Sequence, residues 1–355
     1  MPAYAILLYP AANRVYADVS IDLLRAELGV FASTALDAAV ENVTERRIGG
    51  VGYVCFDTAE PLSELDVLLL SNLSTLYALF EVTGESLRPV HVRRLDRFDS
   101  DLLTIQKYPG KTNELFTKLL LNVTLLARTD PAALLRGGLH ILDPLCGRGT
   151  TLNQAMMYGF DITGMDTDGK DFDSYAYFVT TWLKGKRLKH SAESTSLRRD
   201  KVRLGKRLDI EYAATKEEYK AGETRRITYL NCDTLEAGTL LRRESVDAVV
   251  TDAPYGVQHG SHRSDGSGPA RRPHELLAAA VPVWTRALRP GGAIGISWNT
   301  TVAGRDAVTA ILTDAGLLVR EDDAYLGFTH RVDQAITRDL VVARKPLSGK
   351  ETEAA

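Results

Sequence analysis

Four apolar runs in the second half of the chain each end in an aspartate. The runs LHILD, FDITGMD, RITYLNCD and VDAVVTD end in Asp143, Asp166, Asp233 and Asp252. Segments with helical spacing of apolar residues alternate with these runs, and this alternation predicts a mostly parallel sheet wrapped by helices on both faces. The carboxyl ends of parallel strands meet at one edge, which is where such sheets bind ligands. The sequence therefore predicts that the four carboxylates share one ligand-binding edge.

A glycine-rich turn follows the first of these runs. In ILDPLCGRGTTL, Gly147 and Gly149 precede a predicted helix, so the backbone can approach a ligand closely and the helix N-terminus offers free N–H groups. The third glycine of the dinucleotide pattern G-x-G-x-x-G is absent, because Leu152 stands in its place. Asp143, directly before the turn, suits a cationic amino-acid group better than a pyrophosphate. S-adenosylmethionine carries such a group.

The next two acids extend this interpretation to the rest of the cofactor. Asp166, at the end of the second run, is predicted to accept both hydroxyls of an adenosine ribose. Asp233 is predicted to accept from the adenine amine. Each acid alone is more often a helix cap or a turn former. Three acids at three successive strand ends nevertheless favour an adenosine cofactor.

The fourth run continues as TDAPYG. This stretch resembles the fourth motif of class I S-adenosylmethionine-dependent methyltransferases that modify exocyclic amines: an Asp or Asn, usually two prolines, then Tyr or Phe. The resemblance implies that the Asp252 carboxylate and the Ala253 carbonyl accept the amine protons, with Pro254 in the same motif. It also implies that Tyr255 stacks on a flipped base. Ala253 departs from the family, because a proline there would fix one more φ angle.

 More widely, the chain resembles the tRNA guanosine N2-methyltransferases with a THUMP-type N-terminal RNA-binding domain, within the UPF0020-like RNA methylases. Three stretches carry it: KYPGKTNELFTKLLLNVTLLA before the glycine turn, LRPGG, and FTHRVDQAITRDLVVARK near the end. Together with the strand-end pattern, it implies these cofactor-binding residues: Thr112, Asn113, Asp143, Leu145, Gly147, Gly149, Thr150, Asp166, Asp233 and Thr234.

The predicted fold class is α/β: a Rossmann-like class I methyltransferase domain with a seven-stranded, mostly parallel sheet, preceded by a smaller α+β domain. The helix NELFTKLLLNVTLLAR is predicted to be amphipathic, with one apolar face. The expected divisions are 1–85 as the small α+β, THUMP-like domain and RNA-binding candidate, 86–112 as a linker, 113–346 as the methyltransferase domain, and 347–355 as a disordered tail.

Charge bears on the expected partner. The formal net charge of -3 gives no general attraction to nucleic acid, so such binding needs a local patch. Residues 184–226 form a basic insertion with fourteen Lys plus Arg against seven Asp plus Glu. A solvated surface insertion and a phosphate-binding segment are equally compatible with this charge. RNA, tRNA above all, is the expected partner, with this insertion and loop 257–273 as contact candidates.

Loop 257–273 follows the fourth motif and is rich in Gly, Ser, His and Arg. Its position favours substrate contact by His259, Arg263 and Arg271 together with Tyr255, although a plain surface loop would have a similar composition.

Cysteine usage and the N-terminus bear on location. The three cysteines are far apart and show no C-x-x-C pair, so neither a disulfide framework nor a metal site is expected, and a reducing cytoplasm fits. No signal peptide and no run of about 20 apolar residues is present, so no membrane contact is expected.

The predicted function is methyl transfer from S-adenosylmethionine to an exocyclic base amine, with guanosine N2 in tRNA as the first candidate. One alternative is methylation of DNA adenine or cytosine, which is disfavoured because no separate target-recognition domain follows the motifs. Another is a non-catalytic RNA-binding relative that keeps the fold. The sequence leaves the target position and the oligomeric state open.

Overall fold

The structure is a computed structural model of the chain, and it describes residues 1–10, 14–255 and 273–347. Two β-sheets and their covering helices make up this part of the chain. None of its helices combines the length and the apolar character that a membrane crossing requires.

The first sheet is antiparallel and five-stranded, in the order β2-β3-β1-β4-β5. Its elements are β1 Ala3–Leu8, α1 Arg14–Thr34, β2 Val40–Ile48, β3 Val51–Thr58, α2 Glu64–Leu70, β4 Leu76–Thr83 and β5 Ser86–Val90. The sequence pattern indicates β1, β3, β4 and the two helices but not the edge strands β2 and β5, which are largely exposed and lack a clear apolar alternation. Residues 86–90, which the sequence places in the linker 86–112, form β5 and pair with β4.

The second sheet begins after a short connection that contains α3 Asp101–Thr104. Its strands are β6 His140–Asp143, β7 Asp161–Asp166, β8 His190–Arg199, β9 Val202–Tyr212, β10 Arg225–Asn231, β11 Val246–Asp252, β12 Leu288–Asn299, β13 Leu318–Val319, β14 His330–Arg331 and β15 Thr337–Arg344. The helices around it are α4 Glu114–Leu126, α5 Ala133–Arg136, α6 Thr150–Met157, α7 Gly169–Gly185, α8 Lys216–Ala221, α9 Ala237–Leu240, α10 Pro273–Ala287 and α11 Arg305–Asp314, with 3-10 turns at Thr234–Glu236 and Asp323–Tyr325.

This sheet has ten strands, not the expected seven, and it is mixed. The order is β13-β15-β12-β11-β6-β7-β10-β9-β8, and β14 pairs with β15 outside this path. The five strands from β12 to β10 are parallel, as the alternation of strands and helices predicts. The other pairings are antiparallel, at both ends of the sheet.

The basic insertion 184–226 is the main cause of the wrong strand count. It folds into the hairpin β8–β9, and β9 pairs with the edge of β10. In β9, buried Leu208, Ile210 and Tyr212 alternate with polar residues, which is the period of a half-buried strand. The density of charge around this alternation makes the segment look like a surface loop.

Helix α4 is buried along its whole length from Phe116 to Leu126, so the prediction of a single apolar face is wrong. One side packs on β11 and β12, and α1 of the N-terminal layer covers the other. The Asn122 amide donates to the Glu27 carboxylate and to the Asn72 carbonyl, both at 2.8 Å. The polar side of α4 therefore has its partners in the N-terminal layer, and the two sheets share one continuous hydrophobic core.

Candidate active site

The four strand-end aspartates lie at one edge of the large sheet, as the sequence predicts. Asp143 ends β6, Asp166 ends β7, Asp233 follows β10 and Asp252 ends β11. These strands are parallel and adjacent in the order β11-β6-β7-β10, so their carboxyl ends lie side by side. The functions assigned to the four acids stay predictions, and the geometry of each is described below.

The glycine turn between β6 and α6 is fixed to the neighbouring strand β7. The Cys146 N–H donates to the Met165 carbonyl and the Gly147 N–H to the Asp166 carboxylate, both at 2.9 Å. Gly149 begins α6 with a φ of +79°, and a Cβ there would lie 2.4 Å from the ring of Tyr175. A side chain at this position would therefore have both a strained backbone and a steric clash.

Asp143 is buried beneath this turn. Its carboxylate accepts from the Thr251 hydroxyl at 2.9 Å and from the Leu145 N–H at 3.2 Å. Burial raises the pKa of Asp143 to about 7, because the hydrogen bonds only partly offset the lost hydration. Among the described residues, no Lys, Arg or His forms an ion pair with Asp143. A cationic ligand group would supply the missing counter-charge.

Asp166 is held by two backbone donors, the N–H groups of Gly147 and Asp168, each at 2.9 Å. Burial raises the pKa of Asp166 despite these bonds. Each carboxylate oxygen has two lone pairs, so both oxygens can still accept a hydroxyl.

The segment before α4 reaches over the glycine turn. The Tyr108 hydroxyl lies 3.2 Å from Oγ1 of Thr150, and the Arg148 guanidinium stacks over the Tyr108 ring at 4.8 Å. Asn113, predicted to bind the cofactor, caps α4: its side-chain oxygen accepts from the N–H groups of Leu115 and Phe116.

Asp233 and Thr234 face different environments. Asp233 is exposed and accepts from the Leu235 N–H at 2.9 Å, which fixes the 3-10 turn after β10. Thr234 is buried, and its hydroxyl accepts from the Trp284 indole at 2.8 Å. The Thr234 side chain is therefore buried in the core beside Trp284.

Asp252 is surrounded by side-chain donors from distant parts of the chain. The Thr112 hydroxyl donates to Oδ2 at 2.6 Å, and the Tyr255 hydroxyl donates to Oδ1 and Oδ2 at 2.7 and 2.6 Å. The Ser297 hydroxyl also donates to Oδ1, and the Arg338 guanidinium forms an ion pair with Oδ2 at 3.6 Å. Thr112, predicted to bind the cofactor, therefore contacts the acid of the fourth motif. We call Thr112, Asp252, Tyr255, Ser297 and Arg338 the Asp252 cluster.

Arg338 is the buried cation of this cluster. Its guanidinium stacks over the rings of Phe116 and Tyr255, 4.3 and 5.2 Å from their centroids, and donates to the Tyr255 hydroxyl. Burial lowers the pKa of Arg338, but Asp252 and Tyr255 raise it by more, so the net shift is upward. Burial and the charge of Asp252 raise the pKa of Tyr255, so the phenol stays neutral and donates its proton.

Ala253 replaces the usual proline of the motif without leaving the backbone loose. Its N–H donates to the Ser297 carbonyl at 2.8 Å, which continues the pairing of β11 with β12 by one residue. A proline has no N–H and could not make this bond. Pro254, the next residue, is exposed.

Sequence reasoning missed Arg338 and Ser297. The available signal for Arg338 is its position as one of two adjacent charges, with Asp339, that directly precede the apolar stretch 340–343 of β15 and are buried with it. Ser297 precedes Trp298, which packs in the core as its apolar surroundings suggest. The substrate-contact candidates His259, Arg263 and Arg271 lie outside the described residues. Within the described part of the chain, no group of three His, Cys, Asp or Glu side chains could hold a metal ion.

Residues 123–267 match the model of the UPF0020 family, described as an RMKL-like methyltransferase domain. No curated protein matches the sequence. One similar solved structure is the TehB-like SAM-dependent methyltransferase from Corynebacterium glutamicum, with 15% identity, a TM-score of 0.31, and coverage of 60% of this chain and 86% of that chain.

Another is the 1,6-didemethyltoxoflavin-N1-methyltransferase from Burkholderia thailandensis, with 14% identity, a TM-score of 0.34, and coverage of 61% of this chain and 74% of that chain. A third is the [4+2]-cyclase SpnF, with 14% identity, a TM-score of 0.38, and coverage of 68% and 86%. These three scores are too low to bear on activity. The family model matches less than half of the chain, and together with the described sheet it indicates a methyltransferase-like α/β fold.

Proposed function

We propose that the protein transfers a methyl group from S-adenosylmethionine to an exocyclic amine of a nucleic-acid base, with guanosine N2 in tRNA as the first candidate. The observation that carries this proposal is the position of Asp252. It ends β11, directly beside β6, whose own end carries the buried Asp143 and the glycine turn. A methyl acceptor at Asp252 and a cofactor at the turn would then be adjacent.

The residues at the turn fit the cofactor. Asp143 is a buried carboxyl for which no described cation provides an ion pair, which suits a ligand with a positive charge. Asp166 offers free lone pairs to ribose hydroxyls, and the glycine turn leads into the N-terminus of α6. When bound, S-adenosylmethionine supplies an electrophilic methyl group on a sulfonium.

Asp252 would act on the amine as a hydrogen-bond acceptor. The lone pair of an aromatic amine is delocalised into the ring, so an acceptor on its N–H pulls the nitrogen toward the geometry of a nucleophile. The carboxylate would also stabilise the positive charge that develops on nitrogen during transfer. The proton lost from the amine after transfer has Asp252 as its nearest acceptor.

The donors around Asp252 add a condition to this role. The hydroxyls of Thr112, Tyr255 and Ser297 occupy the lone pairs of the carboxylate, and Arg338 adds an ion pair at 3.6 Å. The substrate amine must therefore replace one of them. We propose that it replaces the Tyr255 hydroxyl, because Tyr255 lies beyond the end of β11 and is only partly buried, whereas Ser297 and Arg338 belong to paired strands. The released ring would stack on the base.

Arg338 would be a positioning residue in this reaction. Its positive charge balances the negative charge of the partly buried Asp252 carboxylate, and its guanidinium stacks on the ring of Phe116. A substrate amine then meets a carboxylate in a fixed orientation.

The basic insertion supports a nucleic-acid substrate, since its excess of positive charge contrasts with a chain of net charge -3. The choice of guanosine in tRNA rests on the resemblance of the fourth motif and of the segment before α4.

Purified protein incubated with labelled S-adenosylmethionine and either unmodified tRNA or duplex DNA tests the proposal, with nucleosides identified by mass spectrometry. We expect N2-methylguanosine in the tRNA. Methylated adenine or cytosine in the DNA alone would replace the proposed substrate, and the absence of any methylated nucleoside would overturn the proposal.

A further inference from the structure

The hairpin of the basic insertion extends past the ligand-binding edge of the sheet. Strand β9 runs antiparallel to β10, and Lys206 pairs with Asn231, the last residue of β10. Residues 202–205 therefore continue beyond the end of β10, by about 13 Å at 3.3 Å per residue. The turn of the hairpin lies at the same edge as the four aspartates. We call residues 198–203 the hairpin tip.

Two contacts hold the tip against the rest of the edge. The Arg199 guanidinium donates to the Glu236 carboxylate at 2.5 Å and to the Thr239 hydroxyl at 3.2 Å, in the segment that follows Asp233. A Cβ on Gly205 would lie 1.8 Å from the Asn231 carbonyl oxygen, so only glycine permits this approach of β9 to β10. The tip is thus a fixed projection beside the predicted adenine site.

Three cations of the tip have no ionic partner among the residues that the structure describes. Arg198, Lys201 and Arg203 are exposed, and no carboxylate in the described part of the chain forms an ion pair with any of them. The other cations of the hairpin are paired: Arg199 with Glu236, Lys206 with Asp173 and Arg207 with Asp209.

The tip is also built in a way that costs stability. Arg198 and Arg203 are register partners, so two like charges stand opposite each other across the hairpin. Asp200 and Lys201 form the turn with φ values of +50° and +69°, a conformation in which Asn and Gly are preferred. A polyanion would relieve the repulsion between the arginines and contact the lysine at the turn.

We propose that the hairpin tip binds the phosphodiester backbone of the RNA that carries the methylated base. This inference rests on the proposed function and adds the surface that docks the substrate. Strand β9 is four strands from β11, so the tip lies about 19 Å along the edge from Asp252 at 4.8 Å per strand. Phosphate contacts would hold the RNA in register while the Asp252 cluster acts on the base.

The same insertion offers a matched control. Lys184, Arg187 and Lys189 are also exposed and also lack an ion pair within the described residues. They lie before β8 at the opposite edge, because His190 pairs with Tyr212 and Tyr212 with Arg225, the first residue of β10. Arg187 even shares a positive φ, +57°, with Lys201.

The test compares two triple variants. The tip variant carries Arg198→Gln, Lys201→Asn and Arg203→Gln, and the control variant carries Lys184→Gln, Arg187→Asn and Lys189→Gln. Both lose three charges. Binding of an unmodified tRNA transcript is measured at several salt concentrations, with a duplex DNA of equal length as competitor. Calorimetry with S-adenosylhomocysteine checks that the cofactor edge of each variant is intact.

We expect the tip variant to bind the transcript at least about tenfold more weakly at low salt. The slope of log affinity against log salt concentration should fall by about 2 to 3, which is three phosphate contacts at 0.7 to 0.9 each. The control variant should bind the transcript with an affinity within about twofold of the wild type. Equal weakening in both variants, no weakening in the tip variant, or stronger binding of the DNA would overturn the inference. Failure of the proposed function would look different, because wild-type protein would then bind the transcript without methylating it.

Discussion

The acids at the glycine turn and the acid of the fourth motif share one edge but are held in different ways. Asp166 takes its hydrogen bonds from backbone N–H groups, and Asp143 from one N–H and one neighbouring hydroxyl. Asp252 takes its hydrogen bonds and its ion pair from side chains. Backbone donors cannot leave without unfolding the turn, whereas a side chain can rotate away. The first region is therefore suited to a cofactor that binds in one geometry, and the second to a substrate that must exchange with a protein group.

The largest effect on stability is expected from Arg338→Met, which breaks the second region only. The loss of its ion pair leaves Asp252 without a counter-charge and should lower the free energy of unfolding by about 3 kcal/mol. Methyl transfer per folded molecule should fall, while the affinity for S-adenosylhomocysteine stays within about threefold. Denaturant unfolding, a transfer assay and calorimetry measure these three quantities.

Arg305→Met is the control, because Arg305 pairs with Asp339 at 2.7 Å but has no contact with Asp252. It should lower stability and leave transfer per folded molecule unchanged. Equal loss of transfer in the two variants would mean that Arg338 serves stability alone.

Tyr255→Ala and Tyr255→Phe separate the ring from the hydroxyl. If the hydroxyl only occupies Asp252 until the amine replaces it, the Phe variant should keep kcat/KM within about threefold. The Ala variant loses the stacking surface and should fall by about 10- to 100-fold. Steady-state kinetics on tRNA decide this. A Phe variant as poor as the Ala variant would show that the hydroxyl itself is needed.

The pH dependence of cofactor affinity sharpens the account of the first region. Since the pKa of Asp143 is raised to about 7, the ionised form becomes scarce below pH 7. Affinity for the cationic cofactor should fall by about tenfold per pH unit below 7 and level off above it. Protein stability changes with pH in the opposite direction from cofactor affinity. The folded protein binds the Asp143 proton more tightly than the unfolded chain does, so stability falls as the pH rises toward 7.

Calorimetry with S-adenosylmethionine between pH 5.5 and 8.5, at constant ionic strength, measures the affinity. Asp143→Asn should bind more weakly at high pH and show little pH dependence. An equally steep profile in this variant would assign the titration to another group.

The smallest effect is expected from Ala253→Pro, which restores the residue usual in the resembled family. The variant loses the N–H that donates to the Ser297 carbonyl, so the free energy of unfolding should fall by about 1 kcal/mol. Pro254→Ala, at the exposed neighbouring position, should change it by less than about 0.5 kcal/mol. Thermal or denaturant unfolding compares the two. A more stable Ala253→Pro variant would show that this hydrogen bond is unimportant.

The region that the sequence predicts well depends on local pattern. Asp143, Gly149 and Asp166 are visible because an apolar run, an acid and a glycine turn are neighbours in the chain. The parallel centre of the sheet follows from the alternation of strands and helices in the same way.

The second region depends on contacts between distant segments. Arg338 reaches Asp252 across more than 80 residues, and no local pattern marks that contact. The sequence does not predict the hairpin β8–β9, for a different reason. Its outer face is polar and charged, and only three apolar residues of β9 show the alternation of a strand. The burial of α4 likewise depends on the N-terminal layer that covers it.

The most direct test of the central claim uses Asp252→Asn, which keeps the shape of the side chain and removes its charge. Methyl transfer to tRNA and affinity for S-adenosylhomocysteine are measured on the same preparation. The account predicts that transfer falls by at least about a hundredfold, while cofactor affinity stays within about threefold. Retained transfer, or an equal loss of transfer and cofactor affinity, would contradict the role assigned to Asp252.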